Sequence, residues 1–282
     1  MTADASTHAR LVGRLEQDSP LVLVADGTFE TTLSHDWGTG DAPNGGYLIS
    51  LIMRAIGRVL PAPHPLTTTA HYNARVEAGP AIITVEPTKV GRTLGRATAR
   101  LMQDGRECIR VMAVSGVLET EPVLYTTPPG FELAPLDQCD ALQLGTPGGV
   151  RSTVRERFEI RYDPDSVGWA RGEPSGTPRM SAWVRPKDGS EPDIFMLPVV
   201  ADALPATAFD VGYTSWVPTI ELTVHVRAEP APGWLRAGYS SRQVAGGLME
   251  EDCEIWDSAG RLVLMSRQLV LVAGAQRNGT RS

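Results

Sequence analysis

The sequence predicts an α+β protein made of two repeats, each an antiparallel sheet wrapped around one buried helix. Three observations predict it. Runs rich in Val, Ile, Thr and aromatics recur between Gly, Pro and Asp turns, which is strand patterning. Two stretches have the nearly all-round apolar character of a buried helix. The order of one strand, one helix and four strands occurs twice, so no single unit accounts for the chain.

In the first half the strand runs are 28–34, 65–76, 80–90, 93–103 and 107–118. The helix opens at Pro43-Asn44, continues through Tyr47, Leu48, Leu51, Ile52, Ala55 and Ile56, and is stopped by Pro61 and Pro63. Residues 119–150 hold many prolines and glycines without periodicity and read as a connector. Strand runs resume at 154–162, 179–186, 218–227, 234–244, 248–256 and 262–272, with the second apolar helix expected over 193–205. Pro43-Asn44-Gly45-Gly46-Tyr47 lies over Pro192-Asp193-Ile194-Phe195-Met196, and the turn ending Gly105-Arg106 lies over the one ending Gly260-Arg261. A single unit would leave a sheet face exposed, so the halves are expected to pack together. The expected domains are 1–118 and 151–282, joined by 119–150.

The composition narrows the function. A chain of 282 residues, 42% hydrophobic and 21% charged, can bury a core without disulfides or metals. Cys108, Cys139 and Cys253 are widely spaced and odd in number, against a disulfide framework or a zinc site. The first twenty residues lack the basic start and apolar core of a signal peptide, and no apolar run reaches the roughly 20 residues that span a bilayer. A cytoplasmic protein without a membrane partner is expected, and the Asn278-Gly279-Thr280 sequon is then accidental. A net charge of −7 without a basic cluster argues against nucleic acid.

Several catalytic signatures do not occur. There is no G-x-S-x-G elbow, no H-E-x-x-H, and neither a G-x-G-x-x-G after a strand nor a Walker loop. What remains is polar residues where apolar ones would pack more easily. Asp202 falls in the second apolar helix, where the repeat places Met53 in the first half; an acid facing solvent at the helix end is the other reading. Gln268 falls in the last strand opposite Ala113 of the repeat, unless it lies on the outer face. Thr219 opens a strand and by itself is an ordinary β-former.

These three residues carry a resemblance. Leu197-Pro198-Val199-Val200-Ala201-Asp202, Pro218-Thr219-Ile220-Glu221 and the strand Gly260 to Gln268 resemble the type II acyl-CoA thioesterase (TesB-like) family, and Pro43-Asn44-Gly45-Gly46-Tyr47 and Gly91-Arg92-Thr93 add to it. The resemblance spans most of residues 20–273. It implies a double hotdog fold and a water-binding triad of Asp202, Thr219 and Gln268. Two departures stand out: Glu221-Leu222 replaces an Asp-His pair, and the stretch between Asp202 and Thr219 is shorter than usual.

Hydrolysis of a fatty acyl-CoA needs a positioned water, a base and charge stabilisation at the carbonyl oxygen, but no cofactor. Asp202 is the expected base, with Thr219 and Gln268 fixing the water. The helix start at Gly45 and Gly46 offers N–H groups for the oxyanion, although those glycines also suit close packing. Tyr47 and Met196 are candidates to line the acyl channel, and Arg92 to meet the CoA phosphates. Two alternatives differ in class: a hotdog protein that binds acyl-CoA without hydrolysing it, and an enoyl-CoA hydratase. The latter needs a histidine on a central helix, and neither helix has one; His35, His64, His71 and His225 lie elsewhere. A homodimer or larger homo-oligomer is expected.

Overall fold

The computed structural model describes residues 14–118, 123–144 and 149–272. The chain begins with a short helix, α1 (Arg14–Asp18), and strands β1 (Val22–Ala25) and β2 (Thr28–Leu33), followed by the two-residue pair β3 (Gly38–Thr39) and β4 (Ala42–Pro43). Helix α2 (Gly45–Val59) comes next, then β5 (His64–Tyr72), β6 (Gly79–Val90), β7 (Gly95–Gln103) and β8 (Arg106–Gly116). After the connector come α3 (Thr153–Glu156), β9 (Phe158–Tyr162), β10 (Arg179–Pro186) and α4 (Leu197–Val200). The chain closes with β11 (Thr219–Val226), β12 (Leu235–Ser240), the short β13 (Val244–Ala245), β14 (Leu248–Trp256) and β15 (Leu262–Leu271).

The expected strands are present with small boundary shifts, and two expectations need correction. The run 154–162 begins as the helical turn α3 and becomes a strand only at Phe158. The helix expected over 193–205 is a single α-turn, Leu197–Val200, flanked by irregular turns. Pro198 has no N–H to donate to the preceding turn, and beyond Ala201 the bonds shorten to the i→i−3 type, Asp202 N to Val199 O at 3.2 Å and Ala203 N to Val200 O at 3.3 Å. Helix α1 and strand β1 were not anticipated. The sequon at 278–280 lies outside the described residues.

The long strands form one antiparallel sheet in the order β1-β2-β6-β7-β8-β5-β11-β15-β14-β12-β10-β9. Counting the six strands that each half gives to this order, both halves run first, second, fourth, fifth, sixth and third from the outer edge inward, so the two third strands, β5 and β11, meet at the centre. At that seam Ala70 faces Leu222, and the hydroxyls of Thr69 and Thr223 hydrogen-bond at 2.9 Å. One core cluster runs through both halves.

Helix α2 lies at its centre, with an unbroken buried run from Gly46 to Ile56. Sheet strands cover one side and α4 the other, which is why the helix has no polar stripe. Leu48, Ile49, Leu51, Ile52 and Ile56 are all at most 2% exposed, each contributing roughly 1.5–3 kcal/mol of transfer free energy against its ordering entropy. The two helices approach closely because position 46 has no side chain: a Cβ there would sit 2.1 Å from the carbonyl oxygen of Pro198.

Candidate active site

The start of α2, the turn after α4, and the inward faces of β11, β14 and β15 enclose a cavity of about 680 Å³. Asp202, Thr219 and Gln268 all line it, so the tertiary structure brings the three expected residues to one space.

Asp202 is held by the first half of the chain. Its Oδ2 accepts from Asn44 Nδ2 at 2.8 Å and from the Gly46 N–H at 3.0 Å, and Asn44 Nδ2 also donates to the Asp202 main-chain carbonyl at 2.7 Å. Asn44 is at the same time the N-cap of α2, its Oδ1 accepting from Tyr47 N at 2.9 Å. Burial pushes the Asp202 carboxyl up to about 7; the donors from Gly46, Gly45 and Asn44 oppose that rise, while the charge of Glu251 adds to it. The carboxylate lines the cavity and faces inward, so the solvent-facing alternative does not hold.

Thr219 and Gln268 are bonded directly, the Thr219 hydroxyl donating to Gln268 Oε1 at 2.8 Å. Gln268 is 6% exposed and shares the inward face of β15 with Ser266 and Val270. Thr219 reaches that side through a bulge. In β11 the inward residues are Leu222, Val224 and Val226, so strict alternation would turn Thr219 outward. The register slips between Thr219 and Glu221, leaving Ile220 as the extra residue and setting Thr219 opposite the inward Val270.

Sequence reasoning missed two residues here. Glu251 is 3% exposed; its Oε1 accepts from Gln268 Nε2 at 2.8 Å, and its Oε2 accepts from both the backbone N–H and the hydroxyl of Thr207 at 2.7 Å. It thereby fixes which end of the Gln268 amide faces Thr219. Burial raises the Glu251 carboxyl, opposed by those donors. In the sequence it sits in the acidic run Glu250-Glu251-Asp252, which reads as a solvated face; its period-two alignment with Met249, Cys253 and Ile255 was the available signal. Tyr72, at the end of β5, brings a buried hydroxyl without a hydrogen-bond partner to the cavity wall. A Cβ at Gly45 would lie 2.8 Å from that hydroxyl and 3.1 Å from Asp202 Oδ2, so glycine keeps this corner open. Burial pushes the Tyr72 hydroxyl up, and the charges of Asp202 and Glu221 push it further.

Of the other expected site residues, Gly45 lines the cavity beside Asp202, and the rest are placed otherwise. The Gly46 N–H is occupied by Asp202 and is not free for an oxyanion. Tyr47 belongs to the core: fully buried, stacked on Trp37 with ring centroids 5.9 Å apart, and bonded to Ser19 Oγ at 2.5 Å and the Ser34 N–H at 3.0 Å. Met196 is also core and absent from the cavity wall. Arg92 is in the β6–β7 turn, at the end of the sheet where β5 begins, whereas the cavity lies at the Tyr72 end, about 25 Å away along the strand. The exposed cation at the cavity is Arg75, whose Nη2 lies 4.0 Å from Asp41 Oδ2. His35, His64, His71 and His225 do not line the cavity. Among the described residues, no cluster of three His, Cys, Asp or Glu side chains could hold a metal, and no helix is long and apolar enough to cross a membrane.

Comparison with known families identifies the two halves of the chain. The acyl-CoA thioesterase N-terminal domain matches residues 33–116, and the acyl-CoA thioesterase C-terminal domain matches residues 136–272. The chain belongs to the acyl-CoA thioesterase family. As a member it is similar to a candidate thioesterase II structure from Thermobifida fusca, with 29% identity, a TM-score of 0.85 and coverage of 93% of this chain and 98% of the other. A hotdog-fold protein of unknown function from Alicyclobacillus acidocaldarius shares the fold, with a TM-score of 0.82 at 17% identity over 94% of this thioesterase-family chain and all of its own. An uncharacterized protein of Mycobacterium tuberculosis is 26% identical over 267 residues, covering 86% of this chain and 90% of the relative.

Proposed function

We propose that this protein hydrolyses acyl-CoA thioesters with a water bound between Asp202, Thr219 and Gln268. The observation that carries this reading is the opening of all three side chains onto one cavity, with a carboxyl raised to about 7 among them. A base is most effective when its pKa lies near the working pH, because it is then both ionised and basic enough to take a proton. Asp202 accepts a proton from the water while the oxygen adds to the thioester carbonyl. The Thr219 hydroxyl donates to Gln268, so its lone pairs and the second Gln268 amide hydrogen orient the nucleophile. Collapse of the intermediate breaks the carbon–sulfur bond, and the proton passes to the departing CoA thiolate.

In this reading the Tyr72 hydroxyl, rather than Gly45 and Gly46, donates to the developing oxyanion, because its proton has no protein acceptor and the Gly46 N–H already serves Asp202. Arg75 at the rim meets a CoA phosphate. The architecture is a double hotdog of repeats 1–118 and 151–282 joined by 119–150, supported by the strand order that recurs in both halves. Copies pair through the outer sheet face, where Ile82, Met112 and Met265 are exposed, and light scattering measures that state.

The test is thiol release across a series of acyl-CoA lengths with wild type and Asp202→Asn. Release by wild type and its loss in the variant is the expected result. Equal release by both removes Asp202 as the base, and binding without release by wild type assigns a non-hydrolysing acyl-CoA carrier. Hydration of an enoyl group has no support in the cavity, since no histidine among the described residues lines it.

A further inference from the structure

Arg155 is buried without a counter-charge. The residue is 8% exposed, and its guanidinium Nε and Nη1 have no hydrogen-bond partner among the described residues. Among the described residues no carboxylate forms an ion pair with it; its side-chain hydrogen bond is with the neutral hydroxyl of Tyr162, itself 1% exposed. Its backbone is firmly placed, because Thr153 in the same helical turn donates to the His35 carbonyl at 2.7 Å and accepts from the Gly38 N–H at 3.0 Å. Arg155 lines the cavity that holds Asp202, and it is the one residue this cavity shares with a smaller neighbour of about 290 Å³.

Guanidinium stays protonated, and an unpaired cation in a low-dielectric wall is strongly unfavourable unless an anion completes it. Within the catalytic cavity, the missing anion is supplied by what enters it. The phosphates of CoA are strongly hydrated and suit the rim, where Arg75 is 61% exposed in its side chain. The buried part of a bound thioester is its acyl group. Taking the thioesterase reading as its basis, we propose that Arg155 binds a carboxylate at the far end of the acyl group, so that the substrates are ω-carboxyacyl thioesters rather than simple fatty acyl ones. Planar guanidinium offers fixed N–H donors to a carboxylate, a geometry that a hydrocarbon chain end does not use.

The test measures binding to the full-length protein of non-hydrolysable thioether analogues: an alkyl-CoA series of four to ten carbons, the matching ω-carboxyalkyl-CoA series, and CoA alone. Wild type is expected to favour the best ω-carboxy analogue over its alkyl match by about 10- to 100-fold, the range for a hydrogen-bonded charge pair. Arg155→Met is expected to abolish that preference and Arg155→Lys to keep part of it. The readout is the ratio of two affinities on one preparation, so partial loss of folded protein cancels. Equal weakening of CoA, alkyl and ω-carboxy ligands by Arg155→Met overturns the proposal in favour of a phosphate contact or a purely structural arginine. A wild-type preference for alkyl chains overturns it as well. Because these ligands are not hydrolysed, the outcome is separate from that of the thiol-release assay: Asp202→Asn keeps the ω-carboxy preference even where release is lost.

Discussion

Asn44 and Asp202 are tied by two hydrogen bonds across the two halves of the chain, from Asn44 Nδ2 to the Asp202 carboxylate at 2.8 Å and to its main-chain carbonyl at 2.7 Å. The residue that caps the long helix of one half therefore positions the acid of the other, and its donor favours the ionised carboxylate. In Asn44→Ala the base loses that donor, so the acid limb of kcat/KM moves to higher pH than in wild type. Stability falls by about 1–2 kcal/mol through loss of the cap. A pH–rate profile and a denaturant titration check the two effects.

Asp202→Asn lowers kcat/KM by about 10²–10⁴-fold, the usual contribution of a positioned base. In wild type, kcat/KM rises with pH and levels above about 7, where Asp202 is ionised. Stability runs the other way. The folded-state value lies above the unfolded one, so as pH rises from about 4 to 7 the unfolded chain releases this proton first and the native state loses on the order of 4 kcal/mol from this group. Asp202→Asn removes that loss, and its melting temperature at pH 8 should exceed that of wild type. Calorimetry at pH 5 and pH 8 compares the two.

Glu251→Gln tests the support beneath Gln268. An amide at 251 can accept from Gln268 only by turning its NH₂ toward the two donors of Thr207, so one interaction fails whichever way it faces. The expected result is a loss of about 1–3 kcal/mol in stability and about tenfold or more in kcat, with KM changing less. Chemical denaturation and steady-state kinetics measure it.

Tyr72→Phe separates catalysis from folding. The hydroxyl has no partner in the resting protein, so its removal leaves the melting temperature unchanged or raised. If it donates to the oxyanion, kcat falls by about 10²–10³-fold. A variant that keeps full kcat returns the oxyanion role to a backbone donor.

The sequence alone carried most of the strand runs, the long helix α2 and the recurring order of elements, because periodicity is a local signal; a polar residue in an apolar run marked Asp202 and Gln268, whereas Thr219 is an ordinary β-former and joined them only through the family resemblance. Three features were decided only by the tertiary structure. A one-residue bulge at Ile220 turns Thr219 inward, and a register slip depends on the partner strand and leaves no mark on residue types. Glu251 reads as part of an acidic surface run until β12 and β15 flank its strand and give one face a core. The start of α2 was read as open to substrate, yet packing against α4 brings Asp202 onto its N–H groups, and the same packing buries Tyr47 in the core. Residue types set which groups exist and how often they recur along the chain; which of them share a cavity depends on long-range pairing that a linear pattern does not contain.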